Sequence, residues 1–129
     1  MTSVAKKVFV NKKKIIFITG GVRSGKSQFA LELARNFSGP KAYLATAQPL
    51  DREMAERIRR HKKNRPKDWQ TLEEPLRVSE ILKEKGDEFS LILIDCLTLW
   101  ISNSLMANWT EKKFLREAER LGKVCRDTH

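Results

Sequence analysis

The chain has 129 residues, 40% of them hydrophobic, which is enough for one globular domain with a core and too few for two ordinary ones. It contains no run of 18 apolar residues and no apolar stretch near its start of the kind that secretory signals carry. We therefore expect a cytoplasmic protein without a membrane partner. The net charge of +10 is concentrated in residues 1–14 and 52–67, and such local basic segments indicate sites for anionic groups such as phosphates.

Residues 1–14 hold five lysines and no acid, and they are predicted to form a basic, solvated N-terminal extension. Residues 15–129 are expected to form a single domain. Its first element is "IIFIT", residues 15–19, a continuous β-branched and aromatic run that predicts a strand buried on both faces.

A helix and a second strand follow this first strand. Phe29, Leu33 and Phe37 recur every four residues after Lys26, which predicts a helix that Gly39 and the following proline end. "KAYLATA", residues 41–47, predicts the second strand. A strand, a helix and a strand in this order predict a βαβ unit whose two strands are parallel.

The next helix carries the basic segment 52–67. Leu50, Met54 and Ile58 are spaced four residues apart, and His61 falls on the same face because 3.6 residues form one turn. This periodicity predicts that His61 points into the protein while the cations spread over the flanks. "NRP" at residues 64–66 ends the helix.

Four further elements complete the pattern. Residues 73–86 predict a short helix, and "FSLILIDCLTLW", residues 89–100, gives the strongest strand signal, ending at Asp95. A helix starting near Leu97 follows, and the last helix covers residues 110–125 with Thr110 as its cap. The expected fold is therefore α/β: a three-layer fold like that of P-loop NTPases, with a mostly parallel sheet. The sheet is expected to be incomplete at the C-terminus, because an alternating pattern calls for another strand there.

The segment "GGVRSGKS" matches the phosphate-loop pattern G-x-x-x-x-G-K-[ST] between a strand and a helix. Glycines let successive N–H groups turn toward a phosphate chain, and the helix dipole adds positive potential there. Lys26 is predicted to reach the β- and γ-phosphates of ATP or GTP, and the Ser27 hydroxyl to ligate Mg²⁺. The predicted phosphate-binding residues are Gly20, Gly21, Val22, Arg23, Ser24, Gly25, Lys26 and Ser27.

Asp95 ends a buried strand, where a carboxylate can hold Mg²⁺ or contact another part of the nucleotide. The alternative for Asp95 is a structural role as the cap of the following helix. For His61, a neutral imidazole beside phosphates can act as a nucleophile, but a basic helix with one histidine is also typical of a surface that faces RNA or phosphate. The residues alone leave both questions open.

The chain resembles the bifunctional adenosylcobinamide kinase / adenosylcobinamide-phosphate guanylyltransferases of cobalamin biosynthesis. The resemblance rests on "ITGGVRSGKSQFA", on "AYLATAQPLDREMAERIRRHKKNRPKDWQTLEEP" and on "LILIDCLTLWISNSL", in the family's order and spacing. It implies an enzyme that phosphorylates adenosylcobinamide with a nucleoside triphosphate. It further implies transfer of GMP from GTP to adenosylcobinamide phosphate through a guanylylated histidine, here His61, giving adenosylcobinamide-GDP.

The resemblance also implies GTP, ATP and Mg²⁺ as cofactors and a homo-oligomer as the assembly. The nucleotide contacts that it adds to the phosphate loop are Ala45, Thr46, Ala47, Lys62, Lys63, Asn64, Arg65, Glu73 and Asp95. Family members continue beyond the position of this chain's last residue with another strand and further helices, so we expect a C-terminally truncated relative.

Two other functions remain as alternatives. One is a P-loop kinase for a small molecule that lacks the guanylyl step, in which His61 is structural. The other is an inactive fragment or a P-loop protein that binds nucleic acid through the basic helix, although we do not expect a nucleic-acid partner.

Overall fold

The computed structural model describes residues 4–10, 13–20 and 25–127 of the chain. The strands are β1 (Val4–Val10), β2 (Lys13–Thr19), β3 (Lys41–Ala45), β4 (Gln70–Glu73) and β5 (Leu91–Asp95). The helices are α1 (Lys26–Ala34), α2 (Arg52–Lys63), α3 (Val78–Lys85), α4 (Leu97–Met106) and α5 (Glu111–Asp127), with a 3₁₀ turn at Gly86–Glu88. None of the helices in these ranges has the length and apolar composition that crossing a membrane requires.

The central feature is a parallel three-stranded sheet in the order β4-β3-β5. Its middle strand is the most deeply buried, since residues 42–46 are all buried. Helices and parallel strands in this arrangement confirm the predicted α/β class and are consistent with the P-loop NTPase-like fold.

The strand before the phosphate loop lies elsewhere than predicted. β2 pairs with β1 as an antiparallel hairpin, with Val4 opposite Thr19, and it is not part of the parallel sheet. The prediction that residues 15–19 and 41–47 form one parallel βαβ unit is therefore wrong. Residues 4–10 form a strand within the predicted basic extension, and the solvation of that extension stays a prediction. The physical reason is that "VAKKVFV" contains several β-forming residues beside its lysines, and pairing satisfies the backbone groups of the two strands that face each other.

The third parallel strand is β4, which the sequence analysis missed. The helix predicted from residue 73 begins only at Val78, and Glu73 ends a strand instead. β4 has four residues, of which only Leu72 is buried, so its sequence lacks the alternation of apolar and polar residues by which a strand is predicted. The Glu74 carboxylate accepts hydrogen bonds from the N–H groups of Leu76 and Arg77, and this turn separates β4 from α3.

The caps explain where two helices begin. The Asp51 carboxylate accepts from the N–H of Met54 at 2.7 Å, which starts α2 directly after the exposed Leu50. The Thr110 hydroxyl accepts from the N–H of Lys113 at 3.0 Å, so the predicted cap of the last helix is confirmed.

The hydrophobic core lies on one face of the parallel sheet. Strand residues alternate between faces, so Leu44 and Leu72 lie side by side on the core face, where they belong to one cluster with residues of α3, α4 and α5. The cluster consists of Ala42, Leu44, Leu72, Val78, Leu82, Phe89, Trp100 and Leu121. The opposite face carries Tyr43, Ala45 and the two acids that end β4 and β5.

Helix α4 holds the segments that follow β3 and β4. The buried Asn103 donates from Nδ2 to the carbonyl oxygens of Thr46, at 2.8 Å, and Pro75, at 3.0 Å. The indole N–H of Trp100 donates to the carbonyl of Leu76 at 2.9 Å. Two loops that are far apart in sequence are thus fixed to one helix.

Replacing Asn103 by alanine is expected to lower the free energy of unfolding by about 1–3 kcal/mol, because buried carbonyl groups lose their donor. Urea unfolding of the full chain measures this. The control is Ser102→Ala on the same helix, an exposed position where we expect a change within about 0.5 kcal/mol. Equal effects of the two substitutions would contradict the assignment.

Candidate functional site

The candidate site lies at the carboxyl ends of the parallel strands, where open α/β sheets usually bind ligands. In the sheet register, Ala45 at the end of β3 is aligned with Glu73 on one side and with Asp95 on the other. All three residues lie on the face opposite the core. The small Ala45 side chain therefore lies between two carboxylates.

Three pairs of residues form this edge, which we call the site rim: Ala45–Thr46, Glu73–Glu74 and Asp95–Cys96. Thr46 is fully buried at 0% exposure, and its hydroxyl donates to the Cys96 carbonyl at 2.7 Å and accepts from the Cys96 N–H at 2.9 Å. The Thr46 N–H donates to the carbonyl of Asp95 at 3.1 Å, and the Glu74 N–H donates to that of Ala45 at 3.0 Å. These bonds join the ends of the three strands.

Thr46 was predicted to contact nucleotide, and the structure gives it different neighbours. Its hydroxyl, N–H and carbonyl groups all bond to other protein groups, the carbonyl to Asn103. Thr46 therefore connects the end of β3 to the end of β5 and to α4. Its neighbours Ala45 and Ala47 are the residues that reach the cavity described next.

A cavity of about 340 Å³ opens between the site rim and α2. Its lining combines small apolar side chains with three cations and one acid. The lining residues are Ala45, Ala47, Pro49, Ala55, Ile58, Arg59, Lys62, Arg65 and Glu73. Five of them, Ala45, Ala47, Lys62, Arg65 and Glu73, are residues that the sequence predicts as nucleotide contacts.

The charged groups of the cavity are only partly neutralised. Lys62 Nζ lies 2.7 Å from Glu73 Oε1, but both side chains are about half exposed (48% and 57%), so this pair contributes little to stability. Arg59 pairs with Glu56 on the same helix. The Nε and Nη1 atoms of Arg65 are buried and have no hydrogen-bond partner among the described residues. Arg65 therefore retains donors for an anionic ligand.

Tyr43 links the cavity to Asp95. Its hydroxyl donates to Asp95 Oδ2, and the guanidinium carbon of Arg65 lies 4.0 Å from the centre of its ring. Burial raises the pKa of Tyr43 well above its ordinary value, and the nearby Asp95 charge and hydrogen bond raise it further, whereas Arg65 acts in the opposite direction. Tyr43 therefore keeps its proton and donates a hydrogen bond to Asp95 throughout the neutral range.

His61 is exposed in the last turn of α2, so the prediction that it points into the protein is wrong. Helical periodicity gives the angle between side chains but not the depth to which a helix packs, and α2 has no buried residue. The face of α2 that lines the cavity includes Ile58 and Lys62, and His61 lies beside that face. The predicted contacts Lys63 and Asn64 are also exposed and outside the lining.

The phosphate loop is described in part. Gly20, Gly25, Lys26 and Ser27 belong to the described residues, whereas the predicted contacts Gly21, Val22, Arg23 and Ser24 lie outside them. Gly25 precedes α1 with φ of 83°, a left-handed conformation that favours glycine. Lys26 and Ser27 begin α1, which contacts β5, and neither residue lines the cavity.

The donor set for a metal ion is small. Over the part of the chain that the structure describes, no three His, Cys, Asp or Glu side chains come together as a metal site. Ser27 and Asp95 remain the predicted Mg²⁺ ligands, and Tyr43 engages only one of the Asp95 oxygens. Mg²⁺ usually keeps several waters and takes one or two carboxylates together with substrate phosphates, so the predicted site requires no larger cluster of protein ligands.

The sequence analysis missed Tyr43 and Asn103 as parts of the site. A signal existed for Asn103, since a lone amide stands in the largely apolar helix "LTLWISNSLM", and a buried amide needs partners. Tyr43 gave no such signal, because an aromatic residue in a strand is typical of a core position.

Comparisons with known proteins agree with the motifs. A sequence profile of the family described as cobinamide kinase / cobinamide phosphate guanyltransferase (CobU) matches residues 16–129. The chain is 45% identical over 91 residues to the bifunctional adenosylcobalamin biosynthesis protein CobP of Pseudomonas aeruginosa, an alignment that covers 70% of this chain and 53% of that protein. It is 38% identical over 91 residues to the protein of the same description, CobU, of Escherichia coli, covering 70% of this chain and 50% of the relative. For CobU of Salmonella typhimurium the identity is 39% over 94 residues, covering 72% and 51%. The chain thus spans about half the length of the curated relatives it matches.

Tyr43 provides a test of the site's geometry, because it is the only tyrosine of the chain and its phenolate absorbance is therefore assigned. We expect its ionisation midpoint to lie above about 10 in the folded protein and near 10 in denaturant. Since the unfolded chain releases this proton first, the stability that Tyr43 confers is present below about pH 10 and is lost as the pH rises further. Tyr43→Phe should remove this part of the alkaline loss, and equal midpoints in the folded and unfolded states would contradict the burial and the Asp95 contact.

Proposed function

Because the chain belongs to the cobinamide kinase / cobinamide phosphate guanyltransferase family, we propose that it takes part in both of the family's reactions. The first is phosphorylation of adenosylcobinamide by ATP or GTP. The second is transfer of GMP from GTP to adenosylcobinamide phosphate through a guanylylated His61, which gives adenosylcobinamide-GDP for cobalamin biosynthesis. We further propose a cytoplasmic location and a homo-oligomer, with the exposed Ile101, Leu105 and Met106 of α4 as surface for the second copy.

One observation carries the proposal: five predicted nucleotide contacts from three separate segments of the chain line a single cavity at the strand ends. Apolar side chains such as Ala55 and Ile58 can pack against a base, and Lys62 and Arg65 can neutralise phosphates. The buried nitrogen atoms of Arg65 that lack partners support an anionic occupant, because such donors are costly when nothing accepts from them.

The kinase step requires positioning and charge neutralisation more than covalent chemistry. In the proposal, the phosphate loop holds the triphosphate, with Lys26 at the β- and γ-phosphates. Ser27 and Asp95 would hold Mg²⁺, which neutralises phosphate charge as the γ-phosphoryl group moves to the substrate hydroxyl. The Tyr43 hydroxyl keeps one oxygen of Asp95 directed toward the sheet.

The guanylyl step uses His61 as the nucleophile. The lone pair of an imidazole nitrogen attacks the α-phosphorus of GTP, an N–P bond forms, and the P–O bond to the β-phosphate breaks with its electron pair leaving on pyrophosphate. The other ring nitrogen then loses its proton. A phosphate oxygen of adenosylcobinamide phosphate attacks the same phosphorus, and the N–P bond breaks with its electron pair on the imidazole, which takes up a proton again and leaves as the neutral ring. The position of His61 next to Lys62 supports this role, because cations beside the phosphates reduce the charge that repels attack.

The guanylyl step is tested by incubating the purified chain with α-labelled GTP and Mg²⁺. We expect a protein-bound label that is labile in acid and stable in base, as a phosphoramidate is, and a loss of at least tenfold in labelling with His61→Asn. Arg57→Asn is the matched control, since Arg57 is an exposed cation of the same helix outside the cavity lining, and it should label like the parent.

The outcomes separate the candidate functions. An unlabelled parent chain, or full labelling of His61→Asn, contradicts the guanylyl step. If adenosylcobinamide is nevertheless phosphorylated by ATP in both proteins, the kinase without the second step is the function.

A further inference from the structure

Tyr43 is the residue through which the two charged parts of the site touch. It is 4% exposed and lies on the sheet face opposite the core, in the middle strand. Its hydroxyl donates to Asp95 at the end of β5. Its ring lies against the guanidinium of Arg65, in the segment that follows α2. The Tyr43 side chain thus contacts both the Asp95 carboxylate at the end of β5 and the Arg65 guanidinium, which lines the cavity.

The Arg65 guanidinium packs against this ring. Its Nε and Nη1 atoms are buried without a hydrogen-bond partner among the described residues, so no hydrogen bond at these atoms orients the group. The 4.0 Å separation between the guanidinium carbon and the ring centre is within the range of a favourable cation–π contact. This contact holds the planar guanidinium of a residue that lines the cavity.

We propose that Tyr43 is a positioning residue that sets the Asp95 carboxylate with its hydroxyl and the Arg65 guanidinium with its ring. The functional part of this inference rests on the proposed function, in which Asp95 and Arg65 meet the nucleotide. Tyr43 itself does not line the cavity and acts only through these two groups. The two contacts use different parts of the side chain, so two substitutions separate them.

Tyr43→Phe removes the hydroxyl and keeps the ring, whereas Tyr43→Leu removes both. The first variant should release Asp95 and leave Arg65 in place, and the second should release both. Phe89→Leu is the control for general loosening, because Phe89 is a buried aromatic residue of the core cluster on the opposite face.

The first readout needs no nucleotide. In the ¹⁵N spectrum of the full chain, the Nε–H resonance of Arg65, assigned with Arg65→Lys, should carry a ring-current shift. We expect this resonance to stay close to its parent position in Tyr43→Phe and Phe89→Leu, and to move toward the position of exposed arginines in Tyr43→Leu.

The second readout is the affinity for GTP, measured by calorimetry with Mg²⁺ and with EDTA. Tyr43→Phe should keep the affinity in EDTA within about twofold and lose most of the gain that Mg²⁺ provides, because only Asp95 is released. Tyr43→Leu should weaken binding about tenfold even in EDTA, since the cation–π contact that orients Arg65 is lost. Phe89→Leu should match the parent in both conditions.

The proposal is overturned if the Arg65 resonance is unchanged in Tyr43→Leu, or if the Phe and Leu variants bind GTP equally well in EDTA. It is also overturned if Phe89→Leu behaves like Tyr43→Leu. If the parent chain binds no GTP, the proposed function fails. The positioning role of Tyr43 is then decided by the Arg65 resonance alone.

Discussion

The two hydrogen bonds between the Thr46 hydroxyl and the backbone of Cys96 are the constraint on which the site depends. A hydroxyl at 0% exposure must find partners inside the protein, because leaving it without them costs several times what one ordinary hydrogen bond contributes. Here the Thr46 hydroxyl accepts from the N–H of Cys96 and donates to the carbonyl of the same residue. The end of β3 is thereby fixed to the end of β5, and Asp95 lies directly before that connection.

Other groups extend this constraint to the third strand. The Glu74 N–H bonds to Ala45, and Asn103 of α4 bonds to the carbonyls that follow β3 and β4. The site rim is therefore fixed by the buried side chains of Thr46 and Asn103, which lie on the core side of the sheet. Tyr43 continues the network on the sheet face opposite the core. Ala45 and Glu73, which line the cavity, lie on this rim.

Helix α2 is a different kind of element. It has no buried residue, its last turn is basic, and it contributes Lys62 to the cavity and exposes His61 beside it. The proposed nucleophile and its neighbour Lys62 thus belong to a solvent-exposed helix, whereas the proposed metal ligands Ser27 and Asp95 belong to the helix that begins at Lys26 and to the sheet. This division matches a reaction in which an activated nucleotide is held firmly and a side chain must accept and then release GMP.

Local patterns predicted much of this arrangement. The strand at 91–95 and the helix at 52–63 follow from apolar runs and periodicity, and the cavity unites residues that the family resemblance had named. The depth of His61 could not be predicted, because periodicity does not report how closely a helix approaches its neighbours. β4 was missed because four residues with one buried side chain carry no pattern, and the partner of β2 was missed because "VAKKVFV" reads by charge as a solvated arm. The buried role of Thr46 was equally hidden, since a threonine in a site motif has the same sequence signature whether its hydroxyl faces ligand or backbone.

Native-state hydrogen exchange on the full chain tests the central claim, a fixed site rim beside a loosely packed α2, most directly. The amides of Thr46, Glu74 and Cys96, which donate to Asp95, Ala45 and the Thr46 hydroxyl, should exchange as slowly as the amides within β3. The amides of α2 should exchange much faster, through local opening. Rim amides that exchange as fast as those of α2 would contradict the account.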